Sequence, residues 1–247
     1  RKDVKDICKH IGTADWFIGL RGVTATTNER TTIATFIPQY AAQHNLWLIS
    51  FKRIKSTLTT FVAGLNAFVL DYFTRLKMAS YMSQFVIKQL PFLNSELKHE
   101  TSFGQNYGNY DAFFRNIIGA YVLELTYTAW DLKPFARDCG YDGPPFIWDE
   151  ERRFLIRCEL DAAFFHLYLP STANGEWRMA SREEGAVVDE TEEQLAELKK
   201  YFPTPRDAVA YIMETFPIVK RKDEQKYGHY RTCLLYTSDA ADELDGV

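Results

Sequence analysis

The feature that most constrains the fold is an apolar stretch that runs from residue 58 to residue 91. Its apolar side chains recur at the i, i+3, i+4, i+7 spacing of one helix face, which predicts a long buried helix over residues 58–76. Residues 84–90 then alternate in polarity, which predicts a short strand ending at Pro91, because proline cannot donate to a sheet ladder. Such a helix would carry Arg75 and Lys77 to its rim, which suits a phosphate-rich ligand better than a metal or a nucleophile centre.

Strand patterns precede this stretch and helical patterns come after it. Residues 16–23, 31–37 and 46–51 predict strands, with a polar loop at residues 24–30 between the first two. Residues 101–109 are rich in Gly, Asn and Tyr, which predicts a mobile loop or an internal boundary. Helical spacing then returns, in residues 111–127, 149–168, 190–201 and 205–215.

The predicted fold class is therefore α+β: a small mixed β-sheet recognition region with a long buried helix, followed by an α-rich C-terminal region. We expect the first region to span residues 1–100 and the second to span residues 101–232. Residues 233–247 form an acidic tail without apolar periodicity, and their sequence resembles the translation of a sequencing adapter. We expect this tail to be foreign to the fold and disordered, the alternative being a short native C-terminal helix.

Composition excludes several classes of protein. A hydrophobic content of 46% and an aromatic content of 15% fit a globular chain with a sizeable core. No apolar run is both long and uncharged enough to span a membrane, so no membrane partner is expected. The four cysteines are scattered rather than arranged as a disulfide framework, which favours a reducing cytoplasm.

The charges are divided along the chain. Residues 1–100 contain 13 Lys and Arg against 7 Asp and Glu, whereas residues 101–232 contain 16 against 22. A basic first part and an acidic second part suggest a local surface that faces a polyanion, the alternative being a solvated surface with uneven charges.

Other chemistry finds little support in the sequence. The five histidines show no metal-ligand spacing, so no metal site is expected. Asp189 with Glu197 and Lys199 superficially resembles the carboxylate-and-lysine pattern of nucleases. That site needs its Glu-x-Lys on a strand, whereas these residues fit a charged amphipathic helix.

An ordered series of segments carries a family resemblance over residues 16–232. The segments are GLRGV (19–23), TNERT (27–31), NAFVLDYFTR (66–75), QFVIKQLP (84–91), AWDLKPFA (129–136), WDEERR (148–153), LDAAFFHLY (160–168) and FPIVKR (216–221). Together they resemble the target-recognition and C-terminal regions of large adenine-N6 DNA methyltransferases. These include fused restriction-modification enzymes and the methylases of phage-defence systems.

The resemblance implies a recognition role without the chemistry. Such enzymes need a Gly-rich loop for S-adenosylmethionine and an Asn/Asp-Pro-Pro-aromatic tetrapeptide for the flipped adenine. The nearest tetrapeptide here is Gly143-Pro144-Pro145-Phe146, with glycine in place of the amide or carboxylate. We therefore expect no catalytic residue and no cofactor in this chain. Duplex DNA and a missing N-terminal catalytic domain, which would bind S-adenosylmethionine, are the expected partners. The alternative is a stand-alone specificity or scaffold subunit of a defence complex.

Basic and short polar side chains of the first region are the candidates for DNA contact. Arginine can bind phosphate or guanine with two parallel hydrogen bonds, and short polar groups reach phosphate oxygens. The candidates are Arg21, Thr27, Asn28, Arg30, Thr31, Lys52, Arg53, Lys55 and Arg75. For Arg30 an ion pair with Glu29 or another local acid is an open alternative, and for Arg75 contacts at a helix C-terminus. Tyr81 could stack on a base, although packing is its default role.

Overall fold

The computed structural model describes residues 15–40, 42–50, 56–78, 81–92, 107–182, 186 and 188–233, with the backbone alone for residues 56–57 and 107–115. Within these residues the chain is α+β, as the sequence predicts. Three short strands come first, and helices make up most of the chain after them.

The sheet has three strands in the order β2-β1-β3, with β1 (Trp16–Arg21) between β2 (Ala34–Pro38) and β3 (Leu46–Ile49). All three strands fall where the sequence predicts them, although each is shorter. Both pairings are antiparallel, whereas the sequence prediction is a mixed sheet. Trp16, Ile18 and Leu20 of β1 belong to the core, and Phe17 and Gly19, which alternate with them on the opposite face, are buried as well.

The predicted long helix is two helices, α1 (Ser56–Asn66) and α2 (Phe68–Lys77), separated by an extended Ala67. The single-helix prediction is wrong because polar groups take up the free backbone groups at the break. The side-chain oxygen of Asn66 accepts the N–H of Ala34 at 3.1 Å, and the side-chain nitrogen of Asn66 donates to the carbonyl of Ala34 at 2.8 Å. Asn66 therefore pairs with the backbone of β2. The carboxylate of Asp161 accepts the N–H of Phe68 at 2.8 Å.

The predicted strand at residues 84–90 is also wrong, because α3 (Gln84–Ile87) is one helical turn. Ser83 begins it as an N-cap, its hydroxyl accepting the N–H of Val86 at 3.3 Å. Val86 and Leu90 are buried whereas Lys88, midway between them, is exposed, which fits one face of a helix but not the alternation of a strand.

The second half of the chain is helical. α4 (Tyr107–Thr126) leads to a 3₁₀ turn (Trp130–Leu132) and α5 (Lys133–Asp138), and α6 (Glu150–Tyr168) begins at the N-cap Asp149. α7 (Glu192–Tyr201), α8 (Pro205–Glu214) and α9 (Pro217–Tyr227) complete the series. α7 and α8 both begin with capping boxes, and Pro205 stands at the first helical position of α8.

The hydrophobic core draws residues from both regions of the chain. Phe36 of β2 stacks on Phe135 of α5 with ring centroids 4.0 Å apart, and Phe68 of α2 meets Phe216 edge to face at 4.6 Å. Cys233, the first residue of the predicted foreign tail, packs against this core, and residues 234–247 lie outside the described residues. None of the described helices is long and apolar enough to cross a membrane.

Candidate nucleic-acid interface

The polar loop between β1 and β2 is fixed from below by a buried carboxylate. Asp71 of α2 has no exposed surface and accepts the backbone N–H groups of Thr31 and Thr32, both at 2.9 Å. The Thr32 hydroxyl adds a third bond at 3.3 Å. Burial raises the pKa of Asp71, while these N–H groups and two neighbouring arginines oppose that shift. The end of the loop is thus held to α2.

Arg75 binds the same loop from one turn further along α2. Its guanidinium donates to the carbonyl oxygens of Thr26 (2.9 Å), Asn28 (2.8 Å) and Glu29 (3.2 Å). The guanidinium also donates to the carbonyl oxygen of Thr215 at 3.2 Å, and its carbon lies 4.0 Å from the centroid of the Phe216 ring. Its terminal nitrogens are therefore used within the fold, where they give the loop a fixed shape, whereas its buried Nε lies 3.7 Å from Asp71 Oδ2 without a hydrogen bond among the described residues.

Arg30 is held inside the fold as well. Its two terminal nitrogens lie 2.6 and 3.2 Å from the carboxylate oxygens of Asp161, and one also donates to the carbonyl of Asn66 at 2.8 Å. The guanidinium carbon lies 3.1 Å from the centroid of the Phe68 ring. Arg30 therefore forms an ion pair, but its partner is Asp161, 131 residues away, and not a local acid as the alternative had it. Glu29, the local acid, instead pairs with Lys222 of α9.

The short polar residues of the loop differ in their exposure. Thr31 is fully buried and its hydroxyl faces the carbonyl of Ala25 at 3.5 Å. Asn28 is half-buried and its amide donates to the Thr24 hydroxyl at 3.4 Å. Thr27 is exposed at the turn. Of these three candidates, Thr27 is the one whose side chain faces solvent.

Arg21 is the arginine candidate that stays open to a ligand. It ends β1 on the solvent side of the sheet, and its Nε donates to the carbonyl of Val23 at 2.8 Å. Within the described residues neither terminal nitrogen has a hydrogen-bond partner and no carboxylate pairs with it. Lys52, Arg53 and Lys55, the remaining candidates, lie outside the described residues.

Phe85, which the sequence did not single out, is 74% exposed on α3. Leu76 and Lys77 are exposed at the end of α2. Tyr81 is also exposed and forms an isolated antiparallel bridge with Val23, two residues after Arg21. A helical interpretation of residues 84–90 would have identified Phe85, because it lies off the face that buries Val86 and Leu90.

These exposed groups are of kinds that can bind a ligand. Across the residues that the structure describes, no cluster of three or more His, Cys, Asp or Glu could hold a metal ion. Glu197 and Lys199 lie on α7 as expected of a charged helix, and Glu197 pairs with Lys200. An unpaired guanidinium beside exposed apolar and aromatic side chains suits a phosphate, a base edge or a base face.

Comparisons with known proteins do not identify a family for this chain. No protein-family model, no curated protein and no solved structure matches it.

Proposed function

We propose that this chain is the sequence-specific DNA-recognition part of an adenine-N6 DNA methyltransferase from a restriction-modification or phage-defence system. It would grip duplex DNA, read a short sequence in the major groove and present the adenine to a separate catalytic domain. S-adenosylmethionine would bind that domain and not this chain.

One observation carries the proposal. The segments that resemble the methyltransferases are the same segments that build the polar network under the β1–β2 loop. TNERT (27–31) supplies Arg30, NAFVLDYFTR (66–75) supplies Asp71 and Arg75, LDAAFFHLY (160–168) supplies Asp161, and FPIVKR (216–221) supplies Phe216. These segments are separate in the sequence, yet each resembles the same family and all of them meet at one network. This supports descent from one folded unit rather than chance similarity.

The fixed conformation of the β1–β2 loop also supports a recognition role. Its carbonyl groups are tied to Arg75 and its last N–H groups to Asp71, so its shape is set before any ligand binds. A preorganised binding surface loses less conformational entropy when it binds. The free guanidinium of Arg21 lies at the end of the strand that leads into this loop.

The proposal is tested by the affinity of the full chain for a labelled DNA duplex, measured by fluorescence anisotropy at low salt. Arg21→Ala is expected to weaken binding, because it removes a cation without an internal partner. Arg157→Ala, at an exposed arginine of α6, is the matched control and should leave the affinity unchanged. No binding by the unaltered chain, or equal affinities for the two variants, would contradict the proposal.

One observation favours the second candidate, a stand-alone specificity or scaffold subunit. Ile147 is 93% exposed and is followed by the exposed Trp148, in a segment anchored by the N–H of Phe146 on the carbonyl of Tyr127 at 2.9 Å. Exposed apolar side chains on a fixed segment suit contact with another protein. The reading frame upstream of Arg1 separates the candidates. An Asn/Asp-Pro-Pro-aromatic motif there supports the methyltransferase, whereas a nearby stop codon supports the separate subunit.

A further inference from the structure

The connection between β2 and β3 takes an unusual path. Both strands are antiparallel to β1, so they are parallel to each other with β1 between them. β2 ends at Pro38, opposite Trp16, whereas β3 begins at Leu46, opposite Arg21. The connection must therefore return along the whole of β1, about 17 Å at the rise of an antiparallel strand.

The strand residues near the two ends of this connection contact the face of β1 opposite Ile18 and Leu20. The core face of β1 carries Ile18 and Leu20, so alternation places Gly19 and Arg21 on the opposite face. A Cβ on Gly19 would lie 3.2 Å from Ile37 Cδ1 and 3.3 Å from Leu46 Cδ1. The side chains at the two ends of the connection thus close over Gly19 and form an apolar floor.

An open cleft of about 510 Å³ is lined by residues of this floor and of the connection. Arg21, Gln43 and Asn45 bring hydrogen-bonding side chains to it, and Ile37, Pro38 and Leu46 bring apolar surface. The backbone of the turn is fixed, because the N–H of Gly22 donates to the Asn45 carbonyl at 2.7 Å and the N–H of Leu46 to the Gln43 carbonyl at 3.0 Å.

The side chains at this cleft, in contrast to its backbone, are free. Gln43 and Asn45 are exposed, and their amides make no hydrogen bond within the part of the chain that the structure describes. The terminal nitrogens of Arg21 are likewise unpaired there. Three planar hydrogen-bonding groups on a fixed backbone, beside apolar surface, are thus free to pair with a ligand.

The ligand chemistry is set by these side-chain types. Asn and Gln amides pair with N6 and N7 of adenine, Arg pairs with O6 and N7 of guanine, and apolar side chains contact the thymine methyl group. We infer that this cleft reads base edges in the major groove, with Asn45 and Gln43 as specificity-determining residues for adenine and Arg21 for guanine. The inference rests on the proposed function and names the surface that performs it.

A binding selection with the full chain tests the inference. The DNA is a duplex with a randomised core of about ten base pairs, roughly one helical turn, and the bound fraction is sequenced. Asn45→Ala and Gln43→Ala should each relax the preference at one A·T pair by roughly 5- to 150-fold. Asn45→Asp should move the preference at its pair towards C·G, because a carboxylate accepts from cytosine N4.

Asn174→Ala is the matched control, since Asn174 is an exposed asparagine in a turn of the second region. It should leave the selected sequences unchanged. Circular dichroism checks that each variant is folded, and the Asn45→Asp switch cannot arise from a loss of folding. If the unaltered chain selects a sequence and the Asn45 and Gln43 variants select the same one, the inference is overturned and the proposed function stands. If the unaltered chain selects no sequence, both are overturned.

Discussion

The carboxylate of Asp161 joins parts of the chain that are far apart in sequence. It pairs with both terminal nitrogens of Arg30, 131 residues away, and accepts the N–H of Phe68 at the break between α1 and α2. Asp161→Ala would leave a mostly buried guanidinium and a buried N–H group without their partner. The expected loss is about 3–5 kcal/mol of the free energy of unfolding, as for a broken buried ion pair, measured by urea denaturation.

Asp142→Ala is the control for this prediction. Asp142 also pairs with an arginine, Arg137 at 3.0 Å, but both side chains are exposed to solvent, where an ion pair contributes little. Its removal should leave the urea midpoint unchanged. Equal midpoints for the Asp161 and Asp142 variants would show that the Arg30 pair does not hold the two regions together.

The buried Asp71 should make the free energy of unfolding depend on pH. Burial raises the pKa of Asp71 in the folded chain above its ordinary value of 3.8. The unfolded chain therefore loses the proton of the Asp71 carboxyl at a lower pH than the folded chain does. As the pH rises from 3.8 to the pKa of Asp71 in the folded chain, the contribution of Asp71 to the free energy of unfolding falls. Asp71→Asn cannot titrate. The free energy of unfolding of the unaltered chain, minus that of Asp71→Asn, should decrease with pH in urea titrations. A difference that grows with pH would contradict the raised pKa.

At the scale of elements, two helices with the same cap differ in what they bury. Thr204 begins α8 and Thr191 begins α7, each in a capping box, but only α8 turns buried side chains such as Ile212 and Met213 to the core. Thr204→Ala should therefore lower the free energy of unfolding by about 1 kcal/mol. Thr191→Ala removes equivalent bonds but should cause local fraying of α7 with a smaller global effect. Urea denaturation and hydrogen exchange distinguish the two, and equal global losses would contradict the argument.

The elements also show what the sequence could and could not predict. Periodicity located the three strands and the helices α4, α6, α7 and α8, because one apolar face repeats along each, but it did not locate the short α5 or α9. It missed the break at Ala67, since the groups that stabilise it come from Asp161 and from the Ala34 backbone, far away in sequence. The prediction of the candidate site residues was limited for the same reason. Arg21 and Arg30 look alike in the sequence, and only the tertiary partner of Arg30 shows that its donors are already used.

For the whole molecule, the split of charge predicts how binding depends on salt. If the basic first region contacts about four to six phosphates, the logarithm of the affinity should fall against the logarithm of the salt concentration with a slope of roughly −4 to −5. Because Arg21 is assigned to guanine, Arg21→Ala should weaken binding and leave this slope unchanged, whereas a slope smaller by about one would place Arg21 on a phosphate and contradict that assignment.

Arg30→Ala should weaken binding by a different route, through the loss of its pair with Asp161 and hence of folded protein. The slope for the molecules that remain folded should then equal that of the unaltered chain. Anisotropy titrations at several salt concentrations, with the folded fraction measured in parallel, separate the two arginines. A flat response to salt would rule out a phosphate-gripping surface, because every cation that contacts a phosphate releases a counterion on binding.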